Sequence, residues 1–299
     1  FLRDIIRVKA GFSHGLGGGS IDIHYEKRHL LNLKFLKRNL PLPCQLPSPE
    51  KISQEDYKIW ILWWQGEDNM PELVRTAVAT VKRATDKEVV FITEANYKDY
   101  IEMPDFIYQK VKKGIITMAA LSDYIRVSLL DSHGGLWIDS TVFFAQPIPS
   151  EVYGVELFSI RNVTKSCQFV ANGKWNVQFL GTNVRHNRVF FQMKTIFEEY
   201  WKKYSILVDY LLVDYCFEYI YENDEASKML FDKIPYTNPN MHKLREMLND
   251  VYDEDAYQSL VNGETYLFKL TYKMKLQKQN RGKETFYGHI VNQNLLTNG

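Results

Sequence analysis

Between Lys58 and Asp139 the chain alternates between short apolar runs and amphipathic segments, and this alternation restricts the fold more than any other feature. Lys58 to Trp64 is a strand-length apolar run. Pro71 to Arg83 follows with apolar residues at helical spacing and a proline in the first turn, where a missing N–H is tolerated. Glu88 to Thr93 reads as a second strand and Asp105 to Lys113 as a short helix. From Met118 to Ser132 apolar residues recur at 118, 121, 125, 129 and 130, close to helical period, until Gly134-Gly135 ends the helix. Leu136 to Asp139 is a third strand. The order β-α-β-α-α-β needs crossover connections, so it predicts an α/β fold with a Rossmann-like, mostly parallel sheet and helices on both faces. Such sheets take ligands where the carboxyl ends of strands pass into loops. Those ends are Trp64-Gln65-Gly66, Thr93-Glu94 and Asp139-Ser140-Thr141. Beyond residue 188 the spacing predicts a helical C-terminal half, with helices at 188–204, 206–222, 224–231 and 240–250. Aromatic-rich strands are expected at 153–160 and 174–181.

Four of the ten prolines, Pro41, Pro43, Pro47 and Pro49, fall within nine residues and read as an extended connector. They divide residues 1–50 from residues 51–299, the expected main domain. Residues 1–40 carry a net charge of +5 and the remainder −4. Gly15 to Ser20 splits this segment into helical candidates at about 1–12 and 22–39. Either this N-terminal extension packs on the main domain, or it also presents a basic face to the inner, anionic face of a membrane.

The whole chain is +1 over 299 residues, which argues against nucleic acid as the main partner, because phosphate binding needs a basic excess. Cys44, Cys167 and Cys216 are too scattered for a disulfide framework or a structural zinc site, so a reducing, cytoplasmic setting is expected. No apolar run approaches the roughly 20 residues of a membrane span. Arg3, Asp4, Arg7 and Lys9 interrupt every apolar stretch that would resemble a secretory leader.

The chemistry concentrates in Ser122-Asp123-Tyr124-Ile125-Arg126, Leu129-Leu130 and Gly134-Gly135-Leu136-Trp137-Ile138-Asp139-Ser140-Thr141. Asp123 and Arg126 are three apart on a helix and share a face. Asp139 stands at the carboxyl end of the strand behind the glycine turn. A carboxylate there, beside a helix-borne Asp/Arg pair, suits a nucleoside diphosphate and its divalent cation.

The motif S-D-x-x-R-x-x-L-L-x-x-x-G-G-x-W-x-D-x-T resembles that of the capsular polysaccharide synthesis proteins related to glycosyltransferase family 32. A more distant likeness is to the catalytic domains of the clostridial glucosylating toxins. Matching segments continue at Lys58-Ile59-Trp60, Trp63-Trp64-Gln65-Gly66, Met70-Pro71-Glu72-Leu73-Val74 and Asn96-Tyr97-Lys98-Asp99-Tyr100. Downstream they include Tyr200-Trp201, Val208-Asp209-Tyr210-Leu211-Leu212-Val213-Asp214 and Phe268-Lys269-Leu270-Thr271-Tyr272-Lys273. The resemblance covers roughly residues 57–290. It implies a GT-A glycosyltransferase fold, a nucleotide-sugar donor (uridine-linked) and a lipid-linked oligosaccharide of a growing surface polysaccharide as acceptor. It further implies transfer of a hexose with retention. Asp123 and Arg126 would line the donor pocket, Trp64-Gln65-Gly66 would border the nucleobase, and Asp209 would contact donor-sugar hydroxyls. Asp139 matches the first Asp of the Asp-x-Asp motif that holds Mn2+ or Mg2+.

The second Asp of that motif is Thr141. The metal is then left with one carboxylate from the motif and needs others, with His289 a candidate. Alternatively Lys269 and Lys273 carry part of the diphosphate charge in place of a strongly held ion. The same departure leaves open a degenerate protein that binds glycan or nucleotide without turnover. Asp139→Ala is expected to abolish turnover while changing stability by about 1 kcal/mol at most.

Overall fold

The computed structural model describes residues 21–162 and 166–296. Its centre is a four-stranded sheet ordered Val89–Ile92, Ile59–Leu62, Gly135–Ile138, Phe179–Thr182. The first three strands are parallel, with Ile59 opposite Val89 on one side and Leu136 on the other. The fourth is antiparallel, with Gly135 opposite Thr182 and Ile138 opposite Phe179. The sheet is therefore mixed at its edge and parallel where the crossover helices predicted it.

Both faces are covered, which is why these strands are apolar throughout instead of alternating. Side chains still alternate between faces. Ile59, Ile61, Leu136, Ile138 and Phe179 pack under the Glu72–Ala84 helix, through Val74, Val78 and Val81. Trp60, Trp137 and Leu180 point the other way, into a larger core with the helices Met118–His133, Arg188–Lys203 and Leu212–Asn223. Tyr124, Phe190, Phe197, Trp201 and Phe217 fill that core and are fully buried.

The Gly134-Gly135 turn is conformationally forced. Both residues have positive φ, 68° and 95°. A Cβ on Gly135 would lie 2.4 Å from the Lys58 carbonyl oxygen, so only glycine lets the third strand close against the first. Trp60 Nε1 donates to the Gly134 carbonyl at 2.8 Å and ties that turn to the first strand.

A second, two-stranded ladder pairs Val142–Phe144 with Leu267–Lys269 in antiparallel register, Val142 opposite Lys269 and Phe143 opposite Phe268. It folds the far C-terminal part of the chain back beside the end of the third strand.

The expected helix at 22–39 is present as Ile21–Asn39, and Leu36 and Leu40 belong to the larger core. The expected helix at 1–12 lies outside the described residues. The helix expected at 206–222 begins only at Leu212, because Asp209 turns the preceding loop by accepting from the Leu211 N–H at 3.0 Å. The helix expected at 240–250 shortens to Lys243–Met247. The strand expected at 153–160 is not formed. Pro149 starts a 3-10 turn over Ser150–Gly154, and Phe158 alone bridges to Gly181. The strand expected at 174–181 reduces to Phe179–Thr182, because Trp175 is drawn out of line to Asp214. Aromatic residues there fill the core by packing, not by extended pairing.

Candidate active site

Three segments converge at the carboxyl end of the Gly135–Ile138 strand. The Met118–His133 helix, capped by Thr117 Oγ1 accepting from the Ala120 N–H at 3.3 Å, supplies Asp123 and Arg126. The strand delivers Asp139, and the Val142–Lys269 register brings Lys269 beside it across 130 positions of sequence. Asp139 Oδ1 accepts from Arg126 Nη2 at 3.0 Å and from Trp137 Nε1 at 2.9 Å. Its Oδ2 accepts from Lys269 Nζ at 2.8 Å, and the same ammonium donates to Thr141 Oγ1 at 2.5 Å. Arg126 also lies 3.2 Å from Asp123 Oδ1 and 5.0 Å over the Trp137 ring. The Arg126 side chain is buried, yet its Nε and Nη1 make no hydrogen bond among the described residues.

The electrostatics follow from this crowding. Burial would push the Asp139 carboxyl up, but the charges of Lys269 and Arg126 outweigh it and hold the group below its ordinary range. Asp123 behaves oppositely: burial raises it to about 7, and the neighbouring Asp214 and Asp139 oppose the help it receives from Arg126. Asp214 is raised to about 6 by burial, against the hydrogen bond from Trp175 Nε1 at 2.9 Å and the charge of Arg126. One ionised carboxylate clamped by two cations thus faces two carboxyl groups poised near neutrality.

Asp209 is placed elsewhere. Both its oxygens are taken by Arg28, whose Nε and Nη2 each donate at 2.7 Å, and Asn32 Nδ2 adds a third bond at 3.1 Å. Asp214, five residues on, faces the Asp123–Arg126 pair instead. Two acids five apart on a helix diverge, so only one of them can point inward, and the resemblance pointed to Asp209; the missing signal was the partner helix at 21–39, which claims Asp209. At the end of the first strand, Gly66 takes φ 88°, Gln65 is exposed, and Trp64 packs on Tyr97 with ring centroids 5.3 Å apart. Trp63 meets Tyr272 edge-on at 5.6 Å, and its buried Nε1 lacks a hydrogen bond among the described residues. Lys273 is exposed on the segment after Lys269. His289 stacks on Tyr252 at 3.7 Å and sits 3.4 Å from Glu284, so its packing is with those residues.

This donor set does not fit a divalent cation. Among the described residues no three His, Cys, Asp or Glu side chains gather to hold one. Asp139 offers a single carboxylate whose two oxygens are already satisfied by cations, and the Lys269 ammonium bridges Asp139 and Thr141, the positions of the Asp-x-Asp motif. Among the described residues the Mn2+ or Mg2+ expectation through Asp139 and His289 therefore finds no protein cage.

Two solved structures resemble the chain at low identity. The PaToxG glycosyltransferase matches with a TM-score of 0.42 and 11% identity, covering 89% of this chain and 98% of that one. The apo structure of the bifunctional glycosyltransferase WbbM matches with a TM-score of 0.43 and 8% identity, covering 91% of this chain and 57% of that one. No curated protein matches. A family model described as capsular polysaccharide synthesis protein matches residues 18–290, from the helix at Ile21–Asn39 through the Asp139 centre to the C-terminal helix. The chain belongs to the capsular polysaccharide synthesis protein family.

Proposed function

We propose that the protein is a glycosyltransferase that moves a hexose from a nucleoside-diphosphate sugar, uridine-linked, to a hydroxyl of a lipid-linked oligosaccharide in surface polysaccharide synthesis. The observation that carries this reading is the clamp of Arg126 and Lys269 on Asp139 at the carboxyl end of a parallel strand, where α/β sheets take their ligands. Cleaving the bond from the anomeric carbon to the diphosphate leaves negative charge on the departing phosphate. Lys269 and Arg126, held ready by Asp139, meet that charge without reorganising. Arg126 Nε has no hydrogen-bond partner among the described residues, and Nη1 is held only by its ion pair with Asp123, so both can turn to the diphosphate or the ribose. Asp123 and Asp214, near neutrality, donate to or accept from sugar hydroxyls. With retention, the leaving phosphate itself takes the acceptor's proton, and no separate base is required. Trp64, Gln65 and Gly66 border the nucleobase, with Trp63 and Tyr272 beside them, and Lys273 extends the positive charge at the rim.

The test is hydrolysis of a panel of nucleotide sugars with Mn2+ and with chelator. Selective release of one nucleotide that survives chelator and disappears in Lys269→Met is the expected result. Release abolished by chelator would return the diphosphate charge to a metal and overturn the role of Lys269. Tight nucleotide binding without turnover, even with lipid-linked acceptor supplied, would favour the degenerate binding protein that Thr141 permits.

A further inference from the structure

We infer that the outward face of the Ile21–Asn39 helix is a docking surface for an anionic lipid bilayer. At 3.6 residues per turn, Ile23, Lys27, Leu30, Lys34, Lys37 and Arg38 fall on one arc of about 100°. All six are exposed, and Ile23 and Leu30, at 41% and 51%, lie along the middle of the arc with the cations to either side. Among the described side chains of the helix, Glu26 is the one acid, and it lies at the edge of this arc. The opposite face is fixed to the protein by Arg28, His29 and Asn32 and by Leu36 in the core. The helix is therefore committed inward and cannot rotate its apolar stripe away from water.

Two exposed aromatics adjoin it. Tyr210, 70% exposed, follows the Asp209 that Arg28 grips, and Phe169, 52% exposed, follows the Gln168 whose amide lies 3.4 Å from Tyr25 Oη. Exposed aliphatic side chains flanked along the helix by Lys27, Lys34, Lys37 and Arg38, with exposed aromatics on the segments that pack against that helix, match the chemistry of a headgroup layer. The apolar groups enter the acyl boundary, the rings sit at headgroup depth, and the cations pair with anionic lipid. An acidic protein would satisfy the cations but give Ile23, Leu30, Phe169 and Tyr210 no apolar environment, so charge and apolarity together favour the bilayer. No helix among the described residues is long and apolar enough to cross a membrane, so contact along this face is peripheral.

The surface stands on its own geometry; its use, to hold the pocket near a lipid-linked acceptor, rests on the proposed transferase. Co-sedimentation of the full chain is measured with vesicles of equal parts phosphatidylglycerol and phosphatidylcholine, and with vesicles of phosphatidylcholine alone. Binding to the anionic vesicles is expected, weakening as salt shortens the screening length from about 10 Å to about 3 Å. Lys27→Glu/Lys34→Glu should lower the partition coefficient more than tenfold, at roughly fivefold for each lost cation. Ile23→Ser/Leu30→Ser should lower it too, with unchanged thermal melting in both variants. Nucleotide-sugar hydrolysis in solution should be unaffected by either pair, so loss of the transferase reading and loss of the docking surface are separable. Equal binding to both vesicle types, no binding to the anionic ones, or undiminished binding of the variants would overturn the inference. Capture by polyglutamate without vesicle binding would assign the face to an acidic protein instead.

Discussion

Asp139 shows how a single position changes meaning once its neighbours are known. Read from the sequence, its removal promised loss of turnover at little cost to the fold. In the structure Asp139 separates Arg126 from Lys269, so Asp139→Ala leaves two cations facing each other in a largely buried site. We expect that variant to lose about 3 kcal/mol in urea denaturation, well above the earlier limit of about 1. An unfolding free energy within about 0.5 kcal/mol of the parent's would show that water screens the pair. Asp123 carries the opposite consequence. Unfolded, its carboxyl titrates near 3.8; folded, burial holds it at about 7. The folded chain keeps a proton the unfolded chain has lost, so this group's share of stability falls as pH rises from about 4 to about 7 and is level above that. Asp214 adds a fall of the same sign between 3.8 and about 6. Asp123→Asn removes one of these ionisations, and its stability should decline less with pH than that of the parent. Parallel denaturation profiles for the two proteins would refute the assignment.

The Ile21–Asn39 helix is joined to the Leu212–Asn223 helix and to loops at Asp209 and Cys167 by polar contacts that its own sequence did not suggest. Arg28 grips Asp209 with two bonds of 2.7 Å, while His29 lies 2.7 Å from Tyr215 Oη and 2.9 Å from the Cys167 carbonyl. Burial, with the nearby Arg28, lowers the His29 pKa against the hydrogen bond to the Cys167 carbonyl and the charge of Asp209. The Asp209 side chain is only 4% exposed, and removing its partner strands a buried charge. Arg28→Ala should therefore cost about 3 kcal/mol, and Arg28→Lys should recover only part of it, because an ammonium does not reproduce the two-pronged contact. Limited proteolysis cutting first within residues 21–39 of Arg28→Ala would accompany that loss; an unaltered cleavage pattern would argue that Leu36 and Leu40 alone hold the helix.

For the whole molecule, the family match from residue 18 and the burial of Leu36 and Leu40 make the segment before the proline connector part of the folded unit in packing. A chain starting at residue 51 should expose the core side chains those leucines cover, bind a hydrophobic dye and melt without a sharp transition; a cooperative melt near that of the full chain would contradict this. The sequence by itself determined the elements whose periodicity is local. The Glu72–Ala84 and Met118–His133 helices, the three parallel strands and the glycine turn follow from spacing, proline placement and positive φ, all encoded within a few residues. It also put Asp123, Arg126 and Asp139 in one motif, because a helix, a turn and a strand of fixed length join them. Tertiary structure alone decided the rest. The register that sets Val142 against Lys269 places an ammonium between Asp139 and Thr141, and no short-range pattern links positions 130 residues apart. The choice between Asp209 and Asp214 likewise depended on Arg28, 181 residues from the acid it claims. Ion pairs across such distances are fixed by how elements pack, and packing follows from complementary surfaces that a linear sequence does not display.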